Sequence, residues 1–168
     1  MDKKSIRLLI KNKINNLNDR DNLDKLINQK LISFLNNYIN IGIYLALDDE
    51  VNLMQTINSL KDIKNIYVPK IIENTLVFNK LDNNIKKNLY NIDECCNDDI
   101  IAIEKLDIII VPLRAYDKNN NRLGRGKGYY DRILLKAKYK VGVGYSIQCV
   151  NNIDIEKHDI RLDDIISD

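Results

Sequence analysis

The run Ile41–Leu47, IGIYLAL, contains no charged residue and sets six apolar side chains around one glycine. Its length suits a strand, and its lack of alternation means that both faces are covered. A strand covered on both faces belongs to a largely parallel sheet between layers of helices, because a one-sided antiparallel strand would alternate apolar and polar residues. LDIIIVP (106–112) has the same character and reads as a central strand, and VGVGYS (141–146) reads as another buried one. NIYVPKI (65–71) is a further strand, with Pro69 near its end, where a lost amide donor matters less. TLVFNKL (75–81) suits an edge strand, and Ile165 and Ile166 a short closing one.

Helical periodicity fills the intervals. Ile6, Leu9, Ile10, Ile14 and Leu17 share one face of a helix expected over Ser5–Leu17. A second helix is expected over Asp21–Tyr38, striped by Leu23, Leu26, Ile27, Phe34 and Leu35, with Asp21 as N-cap. Shorter helices are expected over Val51–Leu60 and Gly128–Ala137. The polar stretch NNIKKNLYNIDECCNDD (83–99) reads as loop with a short helix. Strands alternating with helices, without a repeat or a linker long enough to divide the chain, predict one α/β domain over residues 1–168: a three-layer α/β/α arrangement on a mostly parallel sheet.

The 168 residues are 45% hydrophobic, as in a soluble globular protein, and 26 basic residues nearly balance 24 acidic ones. That balance argues against a general nucleic-acid or membrane binder, so any basic function must be local. Cys95, Cys96 and Cys149 fit neither a disulfide framework nor a zinc site, and free thiols fit a reducing cytosol. The start MDKKSIRLLIKNKINNL is basic but lacks a secretory core region, and no apolar run is long enough to span a membrane. A cytoplasmic protein is expected.

In open α/β sheets ligands gather beyond the carboxyl ends of the strands. That rim should carry the LDDE turn (47–50), the VPK segment (68–70) and the long loop after Pro112. Within the loop, RLGRGKGYYDR (122–132) holds three of the chain's six glycines, interleaved with cations. Glycines allow positive φ and close approach, exposed amides cradle anions, and Arg122, Arg125 and Lys127 would neutralise a phosphate chain. The pattern is neither the dinucleotide fingerprint nor a Walker A loop, and glycines with cations alone would equally suit a flexible solvated turn. The following YYDR adds rings able to stack on a flat heterocycle and a carboxylate, Asp131, able to hold Mg2+ beside phosphates. His158, the only histidine, stands beside Asp159.

The stretch NRLGRGKGYYDRIL (121–134) closely resembles the signature of 5-formyltetrahydrofolate cyclo-ligases. KKSIR (3–7), IGIYLALDDEVN (41–52), IYVPKI (66–71), LDIIIVPLRAYD (106–117), VGVGYSIQCV (141–150) and HDIRLDDIISD (158–168) resemble further family blocks, in order and at family-like spacing. The chain departs from the pattern at IDECCND (92–98), where the family usually has a proline. The resemblance implies ATP- and Mg2+-dependent conversion of 5-formyltetrahydrofolate to 5,10-methenyltetrahydrofolate. The formyl oxygen attacks the γ-phosphate, and N10 then closes the ring with loss of phosphate. Such chemistry relies on positioning and charge neutralisation more than on a covalent catalyst. The rivals are another small-molecule kinase or sugar-phosphate enzyme on a similar sheet, and a binding module without turnover.

By the same resemblance, ATP would be held by Lys3, Lys4, Ser5, Ile6, Arg7, Arg122, Leu123, Gly124, Arg125, Gly126, Lys127, Gly128, Tyr129 and Tyr130. The folate would meet Arg7, Leu45, Glu50, Arg125, Gly126, Lys127, Gly128 and Tyr129. Arg125 and Lys127 would be catalytic, and Asp131 and Asp159 would hold Mg2+. Lys70 would add positive charge on the same rim. The partners implied are small molecules, with no nucleic acid and no membrane, and a monomer is expected.

Overall fold

The structure, a computed structural model, describes all 168 residues. Helix α1 spans Lys3–Asn15 and starts two residues before the expected Ser5, because the Asp2 side chain accepts from the amides of Lys4 and Ser5 at 2.9 and 3.0 Å. Ile6, Ile10 and Ile14, four residues apart, form its buried stripe. Helix α2 spans Arg20–Phe34. Asp19, in the left-handed conformation (φ 58°), stands where Asp21 was expected, and Asp21 falls in the first turn. The helix tightens into a 3-10 turn over Leu35–Asn37 instead of reaching Tyr38. Helices α3 (Met54–Leu60) and α4 (Tyr129–Leu134) are shorter than expected.

Twelve strands follow in chain order. They are β1 (Asn40–Gly42), β2 (Asn65–Ile72), β3 (Thr75–Lys80), β4 (Ile85–Lys87), β5 (Asp93–Cys95), β6 (Ile100–Ile101), β7 (Ile108–Pro112), β8 (Ala115–Asp117), β9 (Arg122–Leu123), β10 (Lys140–Val143), β11 (Cys149–Val150) and β12 (Asp164–Ile166). The main sheet runs β12-β10-β7-β1-β2-β3-β6. Its first five members are mutually parallel, and β3 and then β6 add antiparallel. TLVFNKL is therefore covered by β6 and is not the outermost strand. A small sheet, β11-β8-β9, braces the loop after β7.

Both faces of the sheet are covered, as the unbroken apolar runs require. Ile108, Ile110, Val141 and Val143 pack with Ile6, Ile10, Ile27, Leu31 and Ile57 beneath α1, α2 and α3. The alternate residues Ile109 and Val111 pack with Phe78, Ile133 and Leu134 on the α4 side. The three layers are thus unequal, with three helices on one face and one short helix with its flanking segments on the other. No helix is long and apolar enough to cross a membrane.

Two differences from the sequence reading shape the site. First, IGIYLAL pairs only over Asn40–Gly42, with one further bond from the Ile43 amide to the Tyr67 carbonyl at 2.9 Å. In a parallel ladder the next donor to β1 would come from residue 69. Residue 69 is proline and has none, so the bonding to β2 stops there, and the pairing with β7 likewise ends at Gly42. Pro69 therefore sits mid-strand, where its missing donor counts, and residues 44–47 leave the sheet, Tyr44 and Leu45 buried and Ala46 and Leu47 partly so. Second, 83–99 contains no helix. β4 and β5 form a hairpin, with Ile85 opposite Cys95 and Lys87 opposite Asp93. Its turn is made by asparagines: Asn88 Oδ1 accepts from the amides of Tyr90 and Ile92, and Asn91 takes φ 59°.

Candidate active site

A cavity of about 1010 Å3 opens where β1 leaves the sheet. The chain's only two prolines, Pro69 and Pro112, both line it. Its lining combines apolar and aromatic side chains, among them Leu45, Ile71, Leu76, Tyr90, Ile92 and Tyr129, with the cations Lys3, Lys4, Arg7, Arg122, Arg125 and Lys127 and with several carboxylates. An anion chain and a flat apolar body can therefore lie side by side.

The glycine loop contributes the whole run Arg122–Asp131 to this lining. Arg7 Nε reaches from α1 to the Gly124 carbonyl at 2.8 Å. Gly126 and Gly128 take φ of 101° and 68°, which any side chain would strain, and a Cβ on Gly126 would lie 3.4 Å from the Arg7 guanidinium. Arg122 lies under the loop, more than nine-tenths buried. It donates to the Pro112 carbonyl at 2.9 Å and to Asp131 Oδ1 at 3.3 Å, and its guanidinium lies 5.3 Å from the Tyr130 ring centroid. Burial disfavours its charge, and Asp131 offsets part of that cost. Burial also drives the Tyr130 phenol well above its ordinary pKa, and the Glu50 charge pushes the same way. Lys127 Nζ lies 3.5 Å from the Tyr90 ring centroid, joining loop to hairpin.

Arg125 faces the turn after the β1 run. Its Nε donates to Glu50 Oε1 at 3.1 Å, and its Nη2 pairs with Asp49. Asp49 also accepts from the buried Arg114 at 2.6 Å. Burial alone would raise the Asp49 carboxyl, but the bonds from Arg114 and Arg125 prevail and hold it below the usual range. Glu50 Oε2 accepts from the Leu47 amide at 2.9 Å, and Arg20 fixes the Glu50 carbonyl at 2.7 Å.

At the α1 end, Lys3 Nζ lies 2.6 Å from Asp159 Oδ2 and 2.9 Å from Glu156 Oε1. Burial pushes the Asp159 carboxyl up, but the Lys3 bond and the Glu156 amide outweigh it, so its folded pKa lies below the ordinary 3.8. Folding therefore favours the ionised form. That contribution is fully present above about pH 4 and is lost as pH falls through the folded value. The acid limb of a pH–stability curve should accordingly flatten in Lys3→Met, by about 1 kcal/mol or less for a partly exposed pair. Urea midpoints of both proteins between pH 2 and 5 check this, and parallel acid limbs would refute it.

No group of three His, Cys, Asp or Glu side chains is arranged to hold a metal by itself. Asp131 and Asp159 nevertheless line the same cavity, and each keeps one oxygen outside any hydrogen bond: Oδ2 of Asp131 and Oδ1 of Asp159. A hard divalent ion that keeps most of its waters and takes its remaining ligands from phosphates fits such a pair.

The sequence profile of the 5-formyltetrahydrofolate cyclo-ligase family matches residues 1–168. The chain belongs to that family. It is 35% identical over 139 residues to the 5-formyltetrahydrofolate cyclo-ligase of Haemophilus influenzae, covering 76% of this chain and 74% of that one. It is 32% identical over 176 residues to the cyclo-ligase of Mycoplasma genitalium, covering 99% and 98%. Its fold matches the solved 5,10-methenyltetrahydrofolate synthetase of Mycoplasma pneumoniae with a TM-score of 0.80 at 29% identity, over 99% of this chain and 98% of that one.

Most of the residues that the cyclo-ligase resemblance singled out meet in the one cavity: Lys3, Lys4, Arg7, Leu45, Glu50, all of Arg122–Asp131, and Asp159. Ser5 and Ile6 do not. Ile6 is 3% exposed in the core, and the exposed Ser5 hydroxyl is bonded to Asp2 at 2.6 Å. Lys70 also turns away, because successive strand residues face opposite sides: Pro69 and Ile71 line the cavity while Lys70 reaches the Asn97 carbonyl at 3.1 Å. His158 stands exposed at the rim, 3.5 Å from Glu156. Sequence reasoning missed Tyr90, Ile92 and Glu94 of the hairpin, and Asp154–Glu156. It also missed the Arg114–Asp49 pair, whose members lie 65 positions apart. The acidic DDE cluster itself was the only signal for Asp49.

Proposed function

We propose that this protein converts 5-formyltetrahydrofolate to 5,10-methenyltetrahydrofolate with consumption of ATP, as a single-domain, monomeric, cytoplasmic enzyme that takes its nucleotide with Mg2+. The observation that supports this most is the convergence on one cavity of the glycine loop with its cations, a set of apolar and aromatic side chains, and Glu50 bonded to Arg125.

On this reading Lys3, Lys4, Arg7, Arg125, Lys127 and the amides of Leu123–Gly128 bind and orient the phosphates. Arg125 and Lys127 stabilise the charge that develops as the γ-phosphoryl group passes to the formyl oxygen. Arg122 acts from beneath, holding the loop through Pro112 and Asp131. Leu45, Tyr129 and the hairpin wall enclose the folate and exclude water. Glu50 receives the donor edge of the pterin, whose amino and ring N–H groups suit a carboxylate. Asp131 and Asp159 would hold Mg2+, which when bound neutralises phosphate charge. No residue is required as a covalent nucleophile, and His158 is outside the scheme.

Mixing protein, 5-formyltetrahydrofolate, ATP and Mg2+ should produce the near-ultraviolet absorbance of methenyl-folate, with one ADP formed per ring closed. ATP consumption on another substrate without that absorbance would favour a different kinase. Binding of both ligands without turnover would favour a binding module.

A further inference from the structure

We infer that Asp49 and Glu50 form a carboxylate latch that holds Arg125 until phosphate replaces them. The nucleotide must withdraw Arg125 before Glu50 can receive the folate, so the two ligands bind cooperatively. The inference rests on the proposed function and concerns the order in which its site is assembled.

Both Glu50 oxygens are engaged, Oε1 by Arg125 and Oε2 by the Leu47 amide. The Glu50 side chain is only 9% exposed, so a pterin cannot reach its carboxylate around the guanidinium. Arg125 is the mobile partner: its side chain is 39% exposed and sits in a glycine-flanked loop. Arg114 is the fixed one. It is 8% exposed, its amide is tied to Leu123 at 2.7 Å, and its carbonyl is tied to Gln148 at 3.0 Å. Arg114 therefore holds Asp49 in place and ionised whether or not Arg125 is present.

Charge balance gives the direction of the coupling. Arg114 and Arg125 face Asp49 and Glu50, two cations against two carboxylates. A triphosphate presents more charge to Arg125 than the latch does, and bidentate phosphate contacts suit a guanidinium. Once Arg125 has moved to phosphate, Asp49 keeps Arg114, while Glu50 loses its one side-chain ion pair and keeps only the Leu47 amide and the more distant charges of Arg20 and Arg122. That is the state in which the N–H donors of a pterin gain most. By linkage the effect is reciprocal: folate should tighten nucleotide binding by the same factor. Asp49 and Arg114 are thus positioning residues that act through Arg125 and Glu50.

The test measures dissociation constants for 5-formyltetrahydrofolate with and without a non-hydrolysable ATP analogue and Mg2+, and for the analogue with and without folate. In the wild type both ratios should be equal and about tenfold, within the usual range of coupling. Asp49→Asn should bind the analogue more tightly on its own and lower both ratios toward one. Because that change leaves Arg114 buried without a counter-ion, the double variant Asp49→Asn/Arg114→Met should be measured in parallel, with a thermal melt to verify folding. It should likewise weaken the coupling, the Glu50 bond to Arg125 remaining, while keeping kcat at saturation of both substrates, and its KM for folate should depend less on ATP concentration. Wild-type ratios within twofold of one, or a folded double variant with the wild-type ratio, would overturn the latch while leaving the proposed activity standing. A protein that binds neither ligand would overturn both.

Discussion

Arg125→Ala should lower turnover about 10²–10³-fold, the usual loss when a preorganised donor to developing charge is removed. The ATP concentration for half-saturation should rise as well. The expectation follows from position: Arg125 stands in the glycine loop on the cavity wall, and no other cation pairs with the Glu50 carboxylate. Folate binding without nucleotide should not weaken, because the variant leaves Glu50 free. Steady-state kinetics with each substrate varied in turn, plus direct folate titration, separate the two effects. A rise in the folate requirement alone would mean that the phosphates are held elsewhere in the loop.

Asp131→Asn should have two consequences of different origin. Asparagine keeps the shape but removes the counter-ion of a buried arginine. Breaking such a pair costs roughly 3–5 kcal/mol in full burial. Here the 3.3 Å contact is loose and Arg122 keeps the Pro112 carbonyl, so a loss at or below the lower end is expected. The second consequence is at the proposed metal position, where the Mg2+ concentration for half-maximal rate should rise about 10–100-fold. Denaturant midpoints without ligand report the first, and Mg2+ titration of the rate reports the second. An unchanged Mg2+ requirement in a destabilised variant would reduce Asp131 to a partner of Arg122.

The core strands could be read because their chemistry is local: Ile108–Val111 is apolar at every position and buried at every position. The extent of β1 could not, because seven apolar residues in a row do not say that the donor needed to continue the ladder is missing from another strand. The hairpin was misread because β4 is exposed along its whole length and has no alternation to detect, and its turn is encoded by Asn88 and Asn91 in a stretch already crowded with asparagine. The glycine loop announced itself through composition. Ile6 packs on the apolar stripe where helical periodicity placed it. The Asp49–Arg114–Arg125 chain had no signature at all, since it depends on three segments meeting in space.

Pro69 lines the cavity, and the amide hydrogen it lacks is the one that would carry the β1–β2 ladder further along that wall. An ordinary residue at that position would let the neighbouring run zip further along the sheet and shift Tyr44 and Leu45 off the wall they now form. Rigidity of the scaffold and capacity for a guest are therefore opposed at this point in the chain. A substitution chosen only to strengthen the protein would be expected to shrink the space in which it works.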